Sequence, residues 1–223
     1  MKLIILSENF KKGLGYVEKI TGKNLSLPIL ENVLISVEKN LLRLTSTNLE
    51  TSISWWGLIK TEQEGKIAVP VKFLSNLVAL FPKEPISLEV KNLTLFIESG
   101  SFQTQIKGFN PDDFPLIPSV ETHLAEMENA SFVEGLSQVA EITSPTFTRP
   151  EITGIYFSLQ KDFLKLVATD SFRLAEKTLF IKKKTEKDTS FILPARTAYE
   201  LINSLGDKKE KLFIYSSPSQ VMF

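Results

Sequence analysis

The sequence predicts an α+β protein made of tandem strand–helix–three-strand units, with antiparallel sheets and helices on one face of them. Three observations carry this. The chain matches itself at a nearly constant shift, each copy is doubled again internally, and apolar spacing switches between helical and strand periods within each unit. Residues 10–28, FKKGLGYVEKITGKNLSLP, fall on residues 132–150, FVEGLSQVAEITSPTFTRP. Phe10 meets Phe132, Gly13 meets Gly135, Val17 meets Val139 and Pro28 meets Pro150, a shift of 122 residues without a gap. The register holds from 31–50 onto 153–172, where Ser36 meets Ser158, Leu44 meets Leu166 and Thr47 meets Thr169. Near Pro70 the shift becomes 124, pairing AVPVKFLSNL with ILPARTAYEL. The chain is read as two copies of one domain, residues 1–120 and 121–223.

In order along the first copy, KLIIL is a strand. Apolar residues at 10, 14, 17 and 20 then give 8–21 one helical face. Strands follow at NVLISVE, LLRLTST and ETSISWWGLI, with a turn at Lys39–Asn40 between the first two. GKIAVP opens the second unit, which continues with a helix over 71–81 and the strands ISLEV, LTLFIES and FQTQIKG. In the second copy nothing matches 98–118, ESGSFQTQIKGFNPDDFPLIP, so that copy is expected to lack its last strand and exit segment. The chain reads as a piece of a longer protein.

Composition excludes several classes of function. Lys+Arg and Asp+Glu are both 26, so any nucleic-acid surface must be local. There is no cysteine, and the single histidine, His123, sits in the polar run SVETHLAEMEN and reads as a solvated loop residue. Thiol chemistry, His-based metal sites and Ser-His-Asp catalysis are thereby set aside. MKLIIL is too short for a signal-peptide core and no apolar run reaches the roughly 20 residues of a membrane span, so a cytosolic protein is expected. No cofactor motif is present: GxxxxGK[ST], GxGxxG, GxSxG and HExxH are all missing.

Few residues remain that could carry chemistry. Asp112–Asp113 is a paired carboxylate, read as a proline-flanked turn against the alternative of acid–base or metal work. Asp170 falls on Asn48 in the repeat, which points to capping of a turn rather than proton transfer. Lys12, Lys19 and Lys23 form one stripe of the first helix, and Lys72, Asn76 and Lys83 one of the second. Such faces could follow phosphates, or simply be solvated. The third helix carries Glu134, Gln138 and Glu141 instead, the fourth Arg196 and Glu200, and Lys182–Lys184 reads as a hairpin loop. The segment TDSFRLA differs from its repeat partner TNLETSI by displaying Phe172, Arg173 and Leu174, with Ile152 at a neighbouring strand start. An apolar cluster with one arginine suits either a protein-binding spot or a buried core edge.

Three stretches, LPILENVLISVEKNLLRLTSTNLETSI, GFNPDDFP and TRPEITGIYFS…LKLVATDSFRLAEK, resemble the bacterial DNA polymerase III beta subunits, the sliding clamps. The resemblance spans essentially the whole chain. It implies the DNA clamp fold, three such domains per chain, and two chains closed head to tail into a ring with helices lining the hole and sheets outside. It implies no catalysis and no cofactor. Duplex DNA passes through the ring, while the replicative polymerase alpha subunit and the clamp loader bind through short hydrophobic peptides. Ile152, Thr169, Phe172, Arg173 and Leu174 match one wall of the peptide pocket, the opposite wall belonging to a third domain. Lys23, Lys72, Arg149 and Arg196 match positions near DNA. The competing readings are a repeat-built interaction scaffold without DNA, and a hydrolase using Asp112, Asp113 or Asp170.

Overall fold

The computed structural model describes residues 1–21, 27–120, 122–145, 149–181, 188–206 and 208–223. They divide into two compact units, Met1–Ile117 and Pro118–Phe223.

The first unit runs β1 (Lys2–Ile5), α1 (Ser7–Val17), β2 (Asn32–Glu38), β3 (Leu41–Thr47), β4 (Ser52–Leu58) and β5 (Lys60–Gln63). It continues β6 (Gly65–Pro70), α2 (Val71–Ala79), β7 (Ile86–Lys91), β8 (Thr94–Ser99) and β9 (Phe102–Lys107). Two antiparallel sheets result, with strand orders β4-β3-β2-β6 and β5-β1-β7-β8-β9. The first strand of each strand–helix–three-strand unit has thus changed places. β1 pairs with β7, Leu3 opposite Leu88, and β6 pairs with β2, Ile67 opposite Ile35. Neither half can bury its apolar face without the other, so the folding unit is the pair.

Both helices press their apolar stripes into one core. Phe10, Leu14 and Val17 of α1 and Val71, Leu74 and Val78 of α2 are buried with Val33, Ile35, Leu42 and Leu44 of the sheet. Gly13 lets α1 approach β4, because a Cβ there would lie 2.6 Å from Cε3 of Trp55. Gly135 of the second unit would likewise meet Leu179 at 3.0 Å.

Sequence and structure differ at the element ends. The first helix stops at Val17 rather than residue 21: Ser46 Oγ donates to the Val17 carbonyl (2.6 Å) and Thr21 Oγ1 to that of Glu18 (2.8 Å). Ile20 stays buried in the turn that follows, so apolar spacing outlasts the helix. Lys19 therefore leaves the expected stripe, its Nζ lying 5.7 Å from the Tyr16 ring. The second helix stops at Ala79, where Lys11 Nζ reaches across from α1 to the carbonyls of Phe81 (2.8 Å) and Ala79 (3.4 Å). Lys83 lies past that end and pairs with Glu8 at 3.4 Å, so it is not part of a helical stripe. β5 was not anticipated; KTEQ lacks apolar alternation and is held as an edge strand on β1, with Lys2 to Glu62 at 2.8 Å.

The second unit repeats the plan: β10 (Thr122–Glu128), α3 (Asn129–Ala140), β11 (Gly154–Gln160), β12 (Phe163–Thr169) and β13 (Leu174–Phe180). Then come β14 (Thr189–Pro194), α4 (Ala195–Leu205), β15 (Lys211–Ser217) and β16 (Gln220–Met222). Its sheets are β13-β12-β11-β14 and β10-β15-β16 around a core centred on Phe132 and Phe157. His123 is a strand residue rather than a loop residue: it lies half-buried on β10, its ring 5.3 Å from that of Tyr215 and 6.1 Å from that of Phe213. Polar neighbours in sequence had hidden its place on a strand.

Candidate partner-binding turn and basic helix positions

The turn joining β12 to β13 is built from its side chains outward. Thr169 Oγ1 donates to the Arg173 carbonyl (2.7 Å) and accepts from the Ser171 amide (3.1 Å). Asp170 Oδ1 accepts from the amides of Phe172 (3.0 Å) and Arg173 (2.7 Å). Its Oδ2 accepts from Nε (3.0 Å) and Nη2 (2.9 Å) of the Arg173 guanidinium. Ser171 takes the left-handed conformation, φ 76°, that closes the turn. These donors, the Arg173 amide first and then the Phe172 amide and the guanidinium, hold the Asp170 carboxyl at a pKa of about 2. A carboxylate so engaged is a poor proton acceptor at neutral pH.

The first unit makes the same turn between β3 and β4. Thr47 Oγ1 donates to the Thr51 carbonyl (3.2 Å) and accepts from the Leu49 amide (3.0 Å). Asn48 Oδ1 accepts from the amides of Glu50 (3.0 Å) and Thr51 (2.7 Å), and Leu49 also has φ 76°. Asp and Asn are interchangeable for the two backbone bonds, as the repeat suggested; only Asp adds a second oxygen that can hold an arginine.

What the two turns display differs. In the second unit Phe172 is 96% exposed and Leu174 68% exposed, so they stand outside the core. The core-edge alternative is thereby removed for both. Thr169 pairs with Leu174, and β11 pairs with β12 with Tyr156 opposite Val167. The start of β11 and the end of β12 therefore lie at one end of the sheet. Ile152, half-buried in the short 3-10 helix Pro150–Ile152 before β11, belongs to that end.

The cations are placed as follows. Lys72 and Arg196 are both exposed and both second residues of their helices, each following a proline that ends the preceding strand. Positive charge in a first helical turn opposes the helix dipole, so these residues are not there to stabilise their helices. Arg149 is exposed beside the 3-10 helix before β11. Lys23 and Lys182–Lys184 lie outside the described residues. On α3, Glu134 is exposed and accepts from Gln138 Nε2 at 3.3 Å. Asp112 and Asp113 sit in a 3-10 turn capped by Asn110 Oδ1, which accepts from the Asp112 amide at 3.2 Å. Among the described residues no group of three or more His, Asp or Glu side chains is arranged to hold a metal.

Residues 1–118 match the family model described as DNA polymerase III beta subunit, N-terminal domain, and residues 126–223 match that of the central domain. The chain belongs to the DNA polymerase III beta subunit family. A beta sliding clamp of Synechocystis sp. is 31% identical over 248 residues, covering all of this chain and 63% of the relative. That of Bacillus subtilis is 26% identical over 233 residues, covering all of this chain and 62% of its own length. The chain thus spans about three fifths of the curated relatives it matches. The solved sliding clamp of B. subtilis superposes with a TM-score of 0.94 at 24% identity, over 99% of this chain and 61% of that one. The α+β architecture of this beta-subunit family member is that of the solved clamps.

Proposed function

We propose that this chain acts as part of a sliding clamp, a non-catalytic subunit that encircles duplex DNA and tethers the replicative polymerase. The observation that carries this reading is the pair of identical turns of which only the second presents Phe172, Arg173 and Leu174 outward. An exposed aromatic–aliphatic pair on a rigid turn is suited to receive a short hydrophobic peptide. With Ile152 and Thr169 it forms the wall for segments of the polymerase alpha subunit and the clamp loader.

Lys72, Arg196 and Arg149 are the described residues assigned to the phosphates, and Lys23 is assigned with them on the family's pattern alone. A topological link needs no tight grip, and this agrees with a chain whose 26 basic and 26 acidic residues balance. A second chain docks head to tail on the open edge of β9, where Phe102 is exposed. No helix among the described residues is long and apolar enough to cross a membrane, and the role calls for a cytoplasmic location.

The competing scaffold reading has no DNA. Binding of a labelled duplex, measured across a salt series, separates the two. Each phosphate contact contributes about −0.9 to the slope of log K against log salt, so Lys72→Gln with Arg196→Gln should flatten it by about 2. Association without salt dependence, or an unchanged slope in the double variant, favours the scaffold.

A further inference from the structure

The sheet β4-β3-β2-β6 of the first unit buries one face under the helices and turns the other outward. Its register sets a row across that outer face: Trp56 opposite Arg43, Arg43 opposite Ser36, and Ser36 opposite Lys66. The row on one side pairs Leu58 with Leu41. The chain after β9 crosses this face, tied down where Phe109 and Ala68 exchange backbone hydrogen bonds of 2.8 and 3.4 Å and where Phe114 is buried. Between the crossing segment and the sheet lies a groove of about 490 Å³. That volume falls within the range of ligand-binding clefts.

Two features set the groove apart from a solvated sheet face. Outer faces of antiparallel sheets are ordinarily polar, yet here Trp56 is 54% exposed, Leu41 46% and Leu116, on the crossing segment, 97%. In their midst the Arg43 guanidinium lies 5.4 Å from the Trp56 ring centroid and donates to Ser54 Oγ through Nη2 (3.1 Å) and Nε (3.4 Å). Ring and hydroxyl fix its orientation without neutralising it. The lining carries Glu38 and Asp112 beside Arg43 and Lys66; Glu38 offsets Lys66 at 3.9 Å, whereas no ion pair joins Arg43 to a carboxylate among the described residues. Most of its five donors remain open to an acceptor.

We propose that this groove docks an extended segment of a partner protein that carries one carboxylate between apolar side chains. The carboxylate sits on Arg43, and the apolar side chains lie against Leu41 on one side and Leu116 across the groove. Spacing favours an extended chain over a compact acid. Rows on one face of a strand repeat about every 7 Å, the same interval as side chains i and i+2 of an extended peptide. This site is separate from the turn at Phe172 and does not depend on the DNA reading.

Of the two tryptophans Trp56 lines the groove and Trp55 packs against Gly13 on the core side, so a peptide-dependent change in emission reports on Trp56. The probe is acetyl-Leu-Ser-Asp-Ser-Leu-amide, titrated beside its Asp→Asn analogue. A saturable blue shift is expected, at least about tenfold weaker for the analogue and for Arg43→Gln, and unchanged in Phe172→Ala. If Arg43→Gln fails to fold, the analogue on the unaltered chain still decides. The proposal is overturned by no shift up to millimolar peptide, by equal binding of the analogue, or by loss of the shift in Phe172→Ala. Displacement of the peptide by acetate or phenylacetate at equal affinity overturns it too, since the groove would then be a small-acid site.

Discussion

Phe172→Ala separates a docking anchor from a support of the fold. The ring is 96% exposed, so its removal takes almost nothing from the core around Phe132 and Phe157. The turn's hydrogen bonds to residue 172 run through its backbone amide, which alanine keeps. Folding stability should therefore stay within about 0.5 kcal/mol of the parent. On docking, the ring would pass from water into contact. Full burial of a phenylalanine is worth roughly 1.5–3 kcal/mol, of which alanine retains a small part, so peptide affinity should fall about 10- to 100-fold. The assay is fluorescence polarisation of a labelled hydrophobic peptide from the polymerase alpha subunit, with urea denaturation alongside. Glu50→Ala, at the matching position of the first unit, should leave affinity unchanged. An affinity within twofold of the parent refutes the reasoning, as does a stability loss above about 1 kcal/mol.

Three further outcomes are expected. Gly13→Ala should lower stability by about 1 kcal/mol, because the clash with Trp55 at 2.6 Å outweighs alanine's helical advantage of similar size. A gain in its urea midpoint would show that the indole yields freely. Lys11→Met keeps the aliphatic stem but uncaps the carbonyls of Ala79 and Phe81, and should cost about 1 kcal/mol. An unchanged midpoint would reduce that contact to an incidental one. The Asp170 carboxyl should titrate near pH 2 rather than its ordinary 3.8, as followed by carboxyl carbon shifts. Because the folded value is depressed, its contribution to the turn is complete above about pH 4 and lost as pH falls toward 2. Titration at the ordinary value would mean that the amides of Phe172 and Arg173 do not hold it.

The repeat made most of the fold legible, since a shift of 122 that pairs Thr47 with Thr169 carries each strand and helix of one copy onto the other. Local pattern could not say which strands would pair. The exchange of β1 and β6 between sheets is decided by long-range ladders, and a polar edge strand such as β5 leaves no apolar alternation to read. The helix ends were overrun because Ile20 and Phe81 remain buried in the turns that follow, so the spacing persists after the helical hydrogen bonds stop. At the candidate site, the equivalence of Asn48 and Asp170 disclosed a capped turn. The exposure of Phe172 and Leu174 was not readable, because their composition suits a core edge equally well.

That difference explains how one backbone can be reused for a new purpose. The turn is closed by a threonine hydroxyl, one Asx oxygen and a left-handed residue at φ 76°, in both copies. None of these closing interactions uses the side chain at position 50 or 172. Substitution there is free of folding cost, and the strands on either side hold whatever it presents in a fixed direction. Glu50 puts a charge at that position of the first copy, beside an exposed Leu49; Phe172, beside an arginine held by Asp170 Oδ2, makes the second an aromatic prominence. A binding surface can therefore change without disturbing the repeat beneath it. On the reading proposed above, the decorated turn, more than the duplicated core, sets the role of the second unit apart from that of the first.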